Sequence, residues 1–133
     1  EEAVSLIKSN CNRFGTRNVT GIQALAPEGM ENLPVPTHAF IGGSGGNMKE
    51  IMAALYQKNP KLRVVMNAIS IETICEMREV IEAYKDNMKD LDIVQLQASK
   101  AKMIGDYHLM QAQNPVWICS FTFLENGENN KHI

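Results

Sequence analysis

Thr37-His38-Ala39-Phe40-Ile41-Gly42-Gly43-Ser44-Gly45-Gly46-Asn47-Met48-Lys49-Glu50-Ile51-Met52 is the stretch whose reading decides the fold. The short apolar run from Ala39 to Ile41 reads as a buried strand. Four glycines around one serine then break regular structure. A helix signal follows at once: Asn47 is a capping residue type, Glu50 stands three positions on, and Ile51, Met52 and Leu55 make an apolar stripe. Strand, glycine loop and helix start, in that order, is how α/β proteins build a ligand site at the carboxyl edge of a sheet. Glycine suits such a loop because it tolerates positive φ and lets backbone N–H groups come close to a ligand.

Downstream, Leu62 to Ile69 reads as a strand, and the continuous apolar run Val64-Val65-Met66 argues for burial on both faces. Ser70 is placed to cap the next helix. Ile71, Ile74, Met77, Ile81, Tyr84 and Met88 recur at three- and four-residue steps, which predicts an amphipathic helix over 71–87. Asp92 to Ser99 and Val116 to Leu124 read as two strands with no helix pattern between them, hence an antiparallel pair. Their connection, Lys100 to Gln113, reads as a long loop, a common place for function. Upstream, Val4, Ile7, Cys11 and Phe14 predict a helix over 1–14 with Gly15 as its stop. Asn18 to Leu25 reads as a strand, and Pro27 with Glu28 opens a short helix. The polar tail 125–133 is expected to fray. The element order is αβαβαβαββ, an α/β protein with a mostly parallel sheet that ends in an antiparallel hairpin.

A length of 133 residues suits one domain, and 44% hydrophobic with 21% charged residues is ordinary for a soluble globular protein. A formal net charge of −2 gives no basic surplus for nucleic acid, and the apolar runs are too short to span a bilayer. Cys11, Cys75 and Cys119 lack C-x-x-C spacing, so reduced, buried thiols in a cytoplasmic protein are expected, without a zinc site. Among eight methionines, Met48, Met52, Met66 and Met77 fall at core-facing positions. His38 and His132 have no partners at metal-ligand spacing and read as structural or surface groups; no metal is expected.

Phe40 to Asn47 resembles the hallmark loop of the precorrin-6Y C5,15-methyltransferase (decarboxylating) family and of its stand-alone CbiT-type relatives. Ala26-Pro27-Glu28, Val65 to Ile69 with Glu72-Thr73, and Ser99-Lys100-Ala101 with Gly105 and Ala112 to Val116 resemble further segments of that family, in order. The resemblance implies a class I (Rossmann-like) methyltransferase fold, with residues 1–124 as the later part of the domain. It implies S-adenosylmethionine as methyl donor and a precorrin tetrapyrrole as substrate. The reaction would be methylation with decarboxylation of an acetate arm, in cobalamin (vitamin B12) biosynthesis. The family's main donor-binding loop and its ribose-gripping acid have no counterpart here, so this chain alone is expected to be inactive. The resemblance also implies a homo-oligomer, with no nucleic acid or membrane as partner.

Site expectations follow from both readings. Gly42, Gly43, Ser44, Gly45 and Gly46, with Asn67 at the next strand end, are expected at the substrate, and Gly42 and Gly43 at the donor. Leu25 and Ala26 occupy the corner that contacts adenine in many class I methyltransferases. Lys100, Tyr107 and His108, with Lys102, could clasp a carboxylated ring through ion pairs and stacking. Solvated loop residues would look the same. The N-terminus of the Asn47 helix is expected to add positive potential for carboxylates. No spacing marks a catalytic triad, and positioning groups are the better expectation. If the resemblance implies strands between Asn18–Leu25 and His38–Ile41, the former must pair with the latter or across a chain–chain contact. The alternative function is a non-catalytic α/β module holding a phosphate or other anion on the Gly42–Gly46 loop.

Overall fold

The computed structural model describes residues 2 to 126. The chain divides after Pro34 into two compact units. In the first, α1 (Glu2–Phe14) ends as its sequence predicts: Gly15 takes φ +63, and the Thr16 amide reaches back to the Cys11 carbonyl at 2.9 Å. The segment 18–25 is not the expected strand. Val19, Ile22 and Leu25 are all exposed, and among the described residues no strand pairs with this segment to take its N–H and C=O groups. The expected pairing with His38–Ile41 is therefore not made, since among the described residues that strand pairs with Arg63–Ala68 alone. Residues 25–33 form successive turns rather than a short helix: the amides of Glu28, Met30 and Leu33 each bond the carbonyl three residues back. Gly29 closes one of these turns at φ +78, where a Cβ would come within 2.7 Å of the Ala24 Cβ, so only glycine fits.

The second unit carries β1 (His38–Ile41), α2 (Met48–Lys58), β2 (Arg63–Ala68), α3 (Ile71–Tyr84), β3 (Met88–Leu96), β4 (Ser99–Ile104), β5 (Tyr107–Ala112) and β6 (Val116–Phe123). The main sheet has the order β1-β2-β6-β3. β1 and β2 are parallel, while β6 is antiparallel to both β2 and β3. Three strands thus run one way and β6 alone runs back, which matches the expected mostly parallel sheet with a terminal antiparallel pair. α3 packs against α2 and lies on β2 and β6. Ser70 caps α3 through the Thr73 amide, 3.2 Å away.

The core lies on that helix-bearing face. Ile41, Val64, Met66, Cys119, Phe121 and Phe123 from the strands meet Met48, Ile51, Met52, Leu55, Met77 and Val80 from the helices. The four methionines assigned to the core are all buried there. Tyr56, Tyr84 and Phe123 pack mutually with centroids 4.9–5.4 Å apart, and Phe121 adds a T-shaped contact at 5.0 Å. β2 corrects the expectation of two-sided burial: Val64, Met66 and Ala68 are buried, while Arg63, Val65 and Asn67 on the other face are half-buried. Within the described part of this unit, no helix covers that second face.

Two further expectations change. β3 starts at Met88, ahead of Asp92, with a bulge between Lys89 and Asp92. The segment 100–113 is not a loop but most of a two-stranded hairpin, β4–β5, turning at Gly105 with φ +60. Of the cysteines, Cys119 is buried, Cys11 half-buried and Cys75 exposed, and all three are free. Of the tail, Glu125 lies 3.6 Å from Lys61, and residues 127–133, His132 among them, lie outside the described residues. No helix among the described residues is long and apolar enough to cross a membrane.

Candidate functional site

β1 hands the chain to the glycine loop at the carboxyl edge of the sheet. Gly42, Gly43, Gly45 and Gly46 are exposed, whereas Ser44 between them is buried, only 7% exposed. Gly45 and Gly46 take φ +58 and φ +90, so the chain reverses there and delivers Asn47 back to the Ser44 carbonyl, N–H to O 3.0 Å. Ser44 was expected to face substrate. Its hydroxyl instead points inward and donates to Glu76 Oε2 of α3 at 3.1 Å. The serine can offer a ligand only its backbone.

The same oxygen of Glu76 accepts the Met48 amide at 3.2 Å. The Asn47 side chain makes no capping bond, so the cap of α2 comes from another helix. A carboxylate at this place also meets the positive end of α2. The expectation that this helix end offers free positive potential is thereby corrected. A second tie joins the helices at the surface, where Lys49 Nζ lies 2.6 Å from Glu79. That bond, and then the Glu79 charge, raise the lysine pKa.

Asn67 belongs with the loop. Ile41 pairs with Met66, so the parallel register carried one step further sets Asn67 beside Gly42 at the same edge. Asn67 is half-buried on the face opposite the helices, the face that also presents Phe40, 68% exposed. A Cβ on Gly42 would approach the Phe40 ring to 3.2 Å, while Cβ atoms on Gly43, Gly45 and Gly46 would meet open space.

The hairpin residues separate. Opposed pairs share a face in an antiparallel ladder. Lys100, Lys102, Ile104, Tyr107, Leu109 and Gln111 make one face; His108, paired with Met103, stands on the other. Lys100 and Tyr107 can therefore act together, and His108 cannot join them. A cavity of about 260 Å³ is lined by Lys100, Ala101, Lys102, Gln111 and Gln113. Leu25 and Ala26 sit in the turns of the first unit, with Leu25 68% exposed and its carbonyl taken by the Glu28 amide. Among the described residues no group of three or more His, Cys, Asp or Glu could hold a metal ion. Glu76 carries no local sequence signal for this role. It lies 32 residues from Ser44, beside the apolar stripe of its own helix.

An α/β sheet with a glycine loop at the carboxyl edge of a strand fits part of a Rossmann-like methyltransferase frame, and solved structures share it. A precorrin-6Y C5,15-methyltransferase from Geobacter metallireducens superposes with a TM-score of 0.79 at 31% identity, covering 91% of this chain and 62% of that one. A protein of Methanobacterium thermoautotrophicum described as precorrin 8W decarboxylase gives 0.76 at 31%, with 91% and 64% covered. The model of the precorrin methyltransferase domain matches residues 1–122, and the chain belongs to that family. Similar proteins named "Probable cobalt-precorrin-6B C(15)-methyltransferase (decarboxylating)" occur in Pyrobaculum calidifontis and Methanothermobacter thermautotrophicus. The first is 29% identical over 89% of this chain, the second 32% over 86%. The chain spans 60% and 59% of their lengths.

Proposed function

We propose that the full-length protein is an S-adenosylmethionine-dependent methyltransferase that methylates a precorrin macrocycle and removes carbon dioxide from an acetate arm, in cobalamin biosynthesis. The observation that carries this reading is the Gly42–Gly46 loop. It stands open at the carboxyl edge of β1, inside the segment matched by the family model. Open glycine backbone fits the approach of a large, flat, carboxylated ring and of the donor's polar end. When bound, the donor supplies a methyl group already activated on a sulfonium, and the electron-rich ring carbon is the nucleophile. The protein's share is therefore alignment and exclusion of water. Gly42 and Gly43 would present amides, Asn67 an amide side chain beside Gly42, and the Lys100–Tyr107 face of the hairpin two cations and an aromatic ring. Leu25 and Ala26 keep the donor-binding role only through backbone and apolar contact.

The chain's 133 residues contain one glycine-rich turn, so residues 1–133 alone are expected to bind the donor more weakly than the full-length protein. The reading also implies a cytoplasmic homo-oligomer, which light scattering addresses. The anion-module alternative is disfavoured by Glu76: phosphate sites of that kind use a free helix N-terminus, and here a carboxylate already holds it. Incubating the full-length protein with methyl-labelled S-adenosylmethionine and a precorrin-6 macrocycle tests the proposal. Labelled macrocycle with released carbon dioxide is expected; absence of both refutes it.

A further inference from the structure

We propose that Glu76 is the positioning residue of the glycine loop, holding it in its ligand-accepting shape from behind. This inference rests on the reading that the loop is the ligand edge. Glycines do not hold a shape by themselves, because each can visit both halves of φ space. Something must select the one arrangement in which Gly45 and Gly46 are left-handed and Gly42 and Gly43 face outward. Within the loop, a single side chain is available, that of Ser44, and it is buried. Its hydroxyl donates to Glu76 Oε2, which also takes the first amide of α2. One oxygen thus pins both ends of the Gly45–Gly46 reversal, at Ser44 and at Met48. Two charge-assisted bonds to a half-buried acceptor are enough to favour one loop state over its alternatives.

A purely structural role for Glu76 would be to join α2 to α3. The Lys49–Glu79 pair does that without touching the loop, and so provides the control. Four variants of the full-length protein separate the roles: Glu76→Ala, Glu76→Gln, Ser44→Ala and Glu79→Ala. The first readout is hydrogen exchange at the Asn47 amide, which bonds the Ser44 carbonyl inside the loop. The second is affinity for S-adenosylmethionine, with kcat and KM for the precorrin. Glu76→Ala is expected to speed Asn47 exchange by about tenfold or more and to weaken ligand binding by a similar factor. Glu76→Gln keeps an oxygen acceptor and should recover much of both. Ser44→Ala should loosen Asn47 on its own, and adding it to Glu76→Ala should bring little further loss. Glu79→Ala should leave both readouts within about twofold of wild type.

If Glu76→Ala does not fold, Glu76→Gln and Ser44→Ala carry the same test. Asn47 protection unchanged in Glu76→Ala or Ser44→Ala overturns the inference, as does equal loosening by Glu79→Ala. Should wild type bind neither ligand, the proposed function fails, and the exchange data still decide whether Glu76 holds the loop.

Discussion

Gly43 and Gly46 offer a clean comparison, because alanine at either would meet no heavy atom within 4 Å. Only the backbone tells them apart: Gly46 is held at φ +90, while Gly43 is not in the positive-φ region. An alanine forced into left-handed geometry costs about 1–2 kcal/mol. Both substitutions also restrict the unfolded chain, a gain of about 0.4–1 kcal/mol that is common to the pair and cancels between them. Gly43→Ala should therefore be neutral or slightly stabilising, and Gly46→Ala less stable than Gly43→Ala by about 1–2 kcal/mol. Urea unfolding with equal m values reads this difference directly. A difference below about 0.5 kcal/mol, or the reverse order, would refute the loop geometry. Function adds a second layer. Because Gly43→Ala is unstrained, any loss of ligand affinity in it reports close approach of the ligand to that backbone. A loss of about tenfold is expected, equivalent to about 1.4 kcal/mol. Wild-type affinity in Gly43→Ala would show that the loop needs glycine for its turn and not for contact.

Phe123, 1% exposed and ringed by Tyr56, Tyr84 and Phe121, should be the most costly core truncation. Phe123→Ala should lower unfolding free energy by about 3–5 kcal/mol, and a loss below about 1 would contradict the packing. Burial, and then the charge of Asp92, raise the Cys119 thiol from 9.0 to about 11. The folded protein keeps that proton where the unfolded chain has lost it. Stability is thus unaffected below pH 9 and falls between pH 9 and 11, by on the order of 2 kcal/mol. Cys119→Ala should flatten that fall in pH-dependent unfolding, while alkylation of the native protein at pH 8 should mark exposed Cys75 and spare Cys119. Finally, precorrin binding should weaken with rising salt because Lys100 and Lys102 share one face of the hairpin. The Lys100→Ala/Lys102→Ala variant should lose most of that salt slope, and an unchanged slope would remove the hairpin from the substrate site.

The elements from His38 to Tyr84 were legible because their signals are local. Ala39–Ile41 and the stripe Ile74, Met77, Ile81 state their periods within a few residues, and Ser70 bonds an amide three positions away. The expected strand 18–25 rested on β-propensity alone. Val19, Ile22 and Leu25 are spaced by three rather than two, and a strand exists only if another lies beside it. The hairpin was readable in principle: Lys100, Lys102, Ile104 and Tyr107, Leu109, Gln111 step by two around Gly105-Asp106, a two-residue turn pair. Its mixture of lysines with apolar residues disguised that alternation as loop. At the site, the glycines announced themselves, and the inward turn of Ser44 did not. The place of the α2 cap was correct and the agent was wrong, because the acceptor comes from 28 residues away. Nothing in a local window separates Glu76 from Glu72 or Glu79 on the same helix.

That remote cap changes how the edge can discriminate among ligands. A glycine loop running into a free helix N-terminus attracts any small anion through the summed helix dipole. Here the dipole's positive end faces Glu76, so its field is spent inside the protein. The outward groups that remain are individual glycine amides and the Asn67 side chain, each a short-range, directional donor. Such groups act at hydrogen-bond distance and reward shape, not net charge. An edge of this kind discriminates by fit against a broad surface more than by attraction of compact phosphate. On the proposed function, charge recognition of a carboxylated ring would fall to the separate lysine face of the hairpin. The loop would, on the same reading, place the reacting carbon, and the hairpin would gather the ring's anionic periphery.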